Sequence, residues 1–219
     1  MHYEILVEDQ SGKRVLEEVV PKILPVNCTF SIFHYKGIGH IPKGLQPRLD
    51  PSKRVLLNQL PRILAGYGKK FASYPDNYRA CVVVICDLDN RNFKDFLAEL
   101  SQILFQCNPR PMGRFCLCIE EGEAWLLGHR EAVEAAYPDA KQFVLDTYVP
   151  DSICGTWEVL ADAVYQGGST ALLAKGKPEV GRMKSIWAVD IAPLLDVEEN
   201  KSPSFQYFAR SLQELKNEG

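Results

Sequence analysis

The chain reads as an α/β protein: a central parallel sheet flanked by helices, followed by a mainly helical C-terminal extension. Three observations predict it. Short apolar runs alternate with amphipathic helical patterns up to about residue 138, the pattern of a parallel sheet covered on both faces. The run 80–89, Ala-Cys-Val-Val-Val-Ile-Cys-Asp-Leu-Asp, holds four consecutive β-branched residues, which suits a strand buried on both faces. Beyond it, the apolar spacing over 139–219 is mainly helical. The expected organisation is an α/β core over 1–138 with the helical extension 139–219 packed on it as a single compact unit.

Residues 3–7 form a short apolar strand running into Glu8-Asp9. Ser11 is the expected N-cap of a helix with the stripe Val15, Leu16, Val19 and Ile23, which Pro21 would bend or shorten. Residues 28–35, rich in aromatic and β-branched side chains, give a second strand. The glycines and prolines of 36–49 make a loop, and Asp50-Pro51 supplies an N-cap followed by Pro at the first helical position. The helix after it carries Val55, Leu56, Leu60, Ile63 and Leu64, kinks at Pro61 and ends at Gly66 and Gly68.

After the central strand come a helix over about 92–105 and a strand over 114–119 ending in Glu120-Glu121-Gly122-Glu123. A helix over 124–136 is closed by Pro138. In the extension, helical sequence over 156–173 is interrupted by Gly167-Gly168, and a further helix spans about 178–191. The last opens at Ser202-Pro203 and buries Phe205, Phe208, Leu212 and Leu215.

Hydrophobic content of 46% and charged content of 24% are those of a water-soluble globular chain. No apolar run approaches the ~18 residues of a membrane span, and the N-terminus lacks the basic and apolar segments of a secretory signal. Seven cysteines are scattered without a Cys-x-x-Cys pair, which reads as reduced thiols in a cytoplasmic protein. The net charge of −3 hides an asymmetry: residues 34–72 hold eight Lys or Arg against Asp50 alone, leaving −10 on the rest. A basic segment beside an acidic site suits a phosphodiester substrate. From it, Lys36, His40, Lys43, Arg48, Lys53 and Arg54 are the candidate nucleic-acid contacts; the alternative is a merely solvated basic surface.

Acids follow three strands: Glu8, Asp87 with Asp89, and Glu120 with Glu121 and Glu123. Parallel strands end on one edge, where ligands of open α/β sheets bind. Carboxylates gathered there repel one another unless protonated or bound to a cation, and oxygen-only ligation favours Mg²⁺ or Mn²⁺. Glu120 is set apart, since it can serve a helix N-terminus through the dipole instead. Trp125, Trp187 and Phe205 read as core side chains, and Ser202 and Ser204 as caps. No G-x-x-x-x-G-K-[ST] or G-x-S-x-G is present, so any ATPase would be a separate protein.

Four segments carry a resemblance: Val7-Glu8-Asp9, Asp87-Leu88-Asp89, Glu121-Gly122-Glu123-Ala124-Trp125-Leu126-Leu127 and Asn200-Lys201-Ser202-Pro203-Ser204-Phe205. Together they resemble an uncharacterised TOPRIM-like family related to the OLD-type nucleases. The resemblance implies a TOPRIM-like sheet and a Mg²⁺- or Mn²⁺-dependent nuclease in which a metal-activated water attacks phosphorus in line. It also implies a separate ATPase partner and a role in defence against foreign DNA. By the same resemblance Glu8 is a metal ligand or general acid/base, and Asp87 and Asp89 are the main ligands. Glu121 and Glu123 would complete a two-metal site, and Lys184 would supply charge in the transition state. The chain departs from the pattern at Asp9 (usually Gly), Gly12 (commonly an acid) and His129 (an acid expected). Those departures keep a second expectation open, a non-catalytic nucleic-acid-binding or partner-regulating module.

Overall fold

The computed structural model describes residues 1–41 and 55–217. Four strands, β1 (His2–Val7), β2 (Thr29–His34), β3 (Ala80–Asp87) and β4 (Gly113–Cys118), form one parallel sheet in the order β2-β1-β3-β4. The connections are α1 (Gln10–Ile23), α2 (Leu56–Ala72) and α3 (Phe93–Phe105). After β4 the chain is helical: α4 (Glu123–Leu127), α5 (Arg130–Ala136), α6 (Gln142–Thr147), α7 (Thr156–Val164), α8 (Gly168–Ala174), α9 (Lys177–Ile191), a 3₁₀ turn at Ala192–Leu194 and α10 (Pro203–Asn217). The sequence reading of an α/β sheet with a helical C-terminal part therefore holds. None of the described helices is long and apolar enough to cross a membrane.

Alternation along the strands divides the core in two. Tyr3, Ile5, Val7, Val83 and Ile85 pack against α1, α9 and α10, whereas Leu6, Val82, Val84 and Cys86 pack against α2 and α3. The helical C-terminal segment thus shares one continuous core with the sheet. Tyr3 Oη donates to the Leu212 carbonyl at 2.8 Å, tying the first strand to the last helix.

The Glu-Ala-Trp and Ser-Pro-Ser-Phe segments meet in this core. The Trp125 ring stacks on Phe208 and meets Phe205 edge-on, with centroids 4.9 and 5.5 Å apart. Trp125 Nε1 donates to Ser204 Oγ at 3.0 Å, and Asn200 Nδ2 donates to the Trp125 carbonyl at 2.8 Å. Asp151 accepts from Ser202 Oγ and Ser204 N–H, each at 2.6 Å. Ser202 Oγ also accepts from Phe205 N–H at 3.2 Å, the N-capping bond expected of it. Both motifs are mortar that fixes the start of α4 relative to α10.

Several local expectations are corrected. Asp9, not Ser11, caps α1: its carboxylate accepts from Gly12 N–H at 2.7 Å and from Ser11 Oγ at 2.6 Å. α1 includes Pro21 and ends two residues beyond it, at Ile23. α2 likewise continues past Gly66 and Gly68 to Ala72; Gly68 is there because a Cβ would collide with the Pro109 carbonyl. The single helix expected over 124–136 breaks at Gly128, where a Cβ would strike Asn200 and Ser202. Asp50-Pro51 lies outside the described residues; α2 begins at Leu56, whose N–H is taken by the Gly37 carbonyl at 3.1 Å.

Candidate functional site

The sheet order makes the gap between β1 and β3 a switch point: from β1 the chain moves outward to β2, then returns to β3 and moves the other way to β4. Ligands of open α/β sheets bind at the carboxyl end of such a gap. Glu8 follows β1 there, and Asp87 ends β3. Glu8 Oε2 accepts from the Asp87 N–H at 3.4 Å. Both carboxylates line a cavity of about 30 Å³ with Asp9, Gly12, Glu123 and Lys184, enough for a water or an ion.

Lys184 comes from α9, on the face that buries Trp187, Ala188 and Ile191. The spacing of three, four and seven residues puts it in line with that apolar stripe, so a lysine is carried into the interior. Its Nζ lies 2.9 Å from Glu123 Oε2 and 3.5 Å from Glu121 Oε2. Glu123 is only 3% exposed. The Lys184–Glu123 contact is therefore a close, largely buried ion pair.

The electrostatics follow from this crowding. Burial, reinforced by Asp89 and Asp9, pushes the Glu8 carboxyl up to about 7, against the opposing Asp87 N–H and Lys184. Asp87 titrates with Glu8 and is raised well above the carboxylate range, by burial first and then by Glu8. Burial also lifts Glu121 to about 7, with Lys184 opposing. Burial disfavours the Lys184 ammonium, but Glu123, Glu121 and Asp87 outweigh it and hold its proton more firmly than usual. Acidic groups outnumber the ammonium in this site, and burial favours the protonated form of Glu8, Asp87 and Glu121.

Not every strand-end acid joins. Asp89, at φ 49°, turns its carboxylate to Arg91 at 2.8 Å. Glu120, at φ 64°, accepts from the N–H groups of Cys154, Gly155 and Thr156 at 3.4, 2.9 and 2.8 Å. It caps α7, a helix remote in sequence, and not the α4 that follows it. Glu158, in the first turn of α7, is an acid that sequence reasoning missed. Its Oε2 is buried without a hydrogen bond and its carboxyl is raised, by burial and then by Glu120, with Lys184 opposing. Nothing in its local sequence separates it from an ordinary helix acid.

Of the basic candidates, Lys36 and His40 are exposed on the loop after β2. That loop borders the site, since Gly37 N–H donates to the Glu8 carbonyl at 3.1 Å. Lys43, Arg48, Lys53 and Arg54 lie outside the described residues. Part of the basic surplus is neutralised, because Lys70 pairs with the buried Glu4 at 2.7 Å.

Oxygen-only donors suit a hard divalent cation, and the buried carboxylate oxygens of Glu121 and Glu123, which face the Lys184 ammonium, match that chemistry. The donor set fits; the side chains as placed do not form a closed cage. Among the described residues, no three His, Cys, Asp or Glu side chains converge closely enough to hold a metal ion. Gly12 leaves no space for an added acid, since a Cβ there would lie 2.7 Å from Val7 Cγ2. His129 is committed elsewhere, its Nδ1 accepting from the Asp196 N–H at 3.1 Å.

Comparison with known proteins gave no match to a family model, a curated protein or a solved structure.

Proposed function

We propose that the protein is a Mg²⁺- or Mn²⁺-dependent nuclease of TOPRIM-like type, cleaving phosphodiester bonds at the carboxyl edge of its sheet. The observation that carries this reading is the meeting of Glu8 and Asp87 at the switch point, lining one cavity with Glu123 and Lys184. Glu8, Asp87, Glu121 and Glu123 would hold the cation, while Asp89 stays paired with Arg91. A divalent cation supplies charge against the developing phosphorane and makes water a better nucleophile.

The chain's own groups have separable tasks. Glu8, just beyond the end of β1 and bordering the cavity, would either hold the cation or take a proton from the attacking water. The Lys184 ammonium offers positive charge to phosphoryl oxygens. Lys36 and His40, on the loop that borders this edge, would draw the phosphate backbone to it, and Lys43, Arg48, Lys53 and Arg54 add positive charge to the same stretch of sequence. A separate ATPase partner and a role against foreign DNA rest on the sequence resemblance alone.

The test is cleavage of supercoiled plasmid and single-stranded DNA with Mg²⁺, Mn²⁺ or EDTA, using Asp87→Asn as control. Cleavage that requires the cation and is lost in the variant supports the nuclease. A second reading, a non-catalytic nucleic-acid-binding or partner-regulating module, is favoured by the Asp89–Arg91 pair and by the ammonium already among the acids. DNA binding without cleavage under every cation would select it.

A further inference from the structure

We propose that Lys184 is a built-in counter-cation that occupies the acidic site in the absence of metal and is displaced when a divalent cation binds. The inference rests on the nuclease reading, but it adds a cation exchange to that site. Two buried carboxylate oxygens, Glu121 Oε2 and Glu123 Oε2, face the same cation, Lys184 Nζ, at 3.5 and 2.9 Å. Glu123 is 3% exposed and lines the cavity with Lys184, Glu8 and Asp87. A carboxylate that deep cannot wait unpaired for a metal, because an isolated buried charge is too costly. An ammonium on a flexible four-carbon stem can neutralise it and still move aside.

The geometry is that of a placeholder. Nζ approaches Glu123 Oε2 at 2.9 Å and Glu121 Oε2 at 3.5 Å, so one ammonium stands between two buried carboxylates. The Lys184 side chain keeps 16% exposure, which leaves it a route outward. Once expelled, the same ammonium stands at the rim of the site, where a substrate phosphate would meet it. Cation binding and availability of Lys184 to substrate become one event.

Calorimetric titration with Mn²⁺ alone tests this on wild type, Lys184→Met and Lys184→Arg. The expected result is that Lys184→Met binds Mn²⁺ on the order of tenfold tighter than wild type, while Lys184→Arg, which keeps the charge, stays near wild type. Equal or weaker binding by a folded Lys184→Met would overturn the inference and leave the nuclease reading standing; no Mn²⁺ binding by wild type or variant would overturn both. Should Lys184→Met fail to fold without metal, reductive methylation of wild-type lysines, mapped by mass spectrometry, decides the matter. Lys184 should react slowly in EDTA and several-fold faster with Mn²⁺. An unchanged rate in a protein that binds Mn²⁺ would overturn the displacement.

Discussion

Lys184 Nζ and Glu123 Oε2 lie 2.9 Å apart, one on α9 in the C-terminal segment and the other at the start of α4. This pair joins the helical segment to the carboxyl edge of the sheet, and it makes the extension part of the site. Glu123 is held there by the aromatic cluster of Trp125, Phe205 and Phe208. A motif that looks functional by its composition thus acts by positioning its acidic neighbour.

That positioning can be broken without touching an acid. Asn200 is fully buried, donating to the Trp125 carbonyl and accepting from Ser202 N–H at 2.8 and 2.9 Å. Asn200→Ala leaves both partners unsatisfied and should cost roughly 2–3 kcal/mol. Urea denaturation reads this as a lower midpoint at unchanged slope. A midpoint within error of wild type would remove Asn200 from the mortar.

The pH dependence of stability has a definite sign. Glu8 and Glu121 are raised to about 7 from an ordinary 4.5, burial being the largest cause in each. Each binds its proton more tightly folded than unfolded, so the folded state holds the extra protons between those values. Their contribution to stability is therefore full below 4.5, falls as pH rises, and levels off above about 7. Thermal unfolding in EDTA should show Tm declining across this window, with the Glu8→Gln, Glu121→Gln double variant declining less. Saturating Mg²⁺ should restore the loss at high pH. A double variant with an identical or steeper decline would contradict the assignment.

The two aspartates of Asp87-Leu88-Asp89 should not behave alike. Asp87 faces Glu8, whereas Asp89 is paired with Arg91 at 2.8 Å. On a common DNA substrate, Asp87→Asn should lower kcat/KM by about 10²-fold or more, and Asp89→Asn by less than about tenfold. Equal losses would mean that Asp89 leaves Arg91 and ligates in the working state.

Much of this was legible in the sequence, and the reasons are specific. The run ending at Asp87 announced a doubly buried strand, and β-branched runs followed by acids marked the edge on which Glu8 and Asp87 meet. Lys184 was expected only through the resemblance; its register with the buried Trp187, Ala188 and Ile191 is what the structure adds. Glu120 and Glu158 were not readable in the same way. Glu120 serves the N-terminus of α7 more than thirty residues on, and Glu158 is brought near these acids only because α7 packs beside α4. Long-range capping and helix docking leave no local pattern. The ends of α2 were misread for a related reason: Gly68 marks a close approach to the Pro109 backbone, not a helix stop.

The most direct measurement is the anomalous scattering of Mn²⁺ in crystals of wild-type protein, collected with and without the ion. The account predicts a peak at the carboxyl edge within about 2.3 Å of carboxylate oxygens of Glu8 or Asp87, absent from Asp87→Asn crystals grown the same way. A peak bound only elsewhere, or none at this edge at saturating Mn²⁺, would contradict the claim that these acids form a cation site.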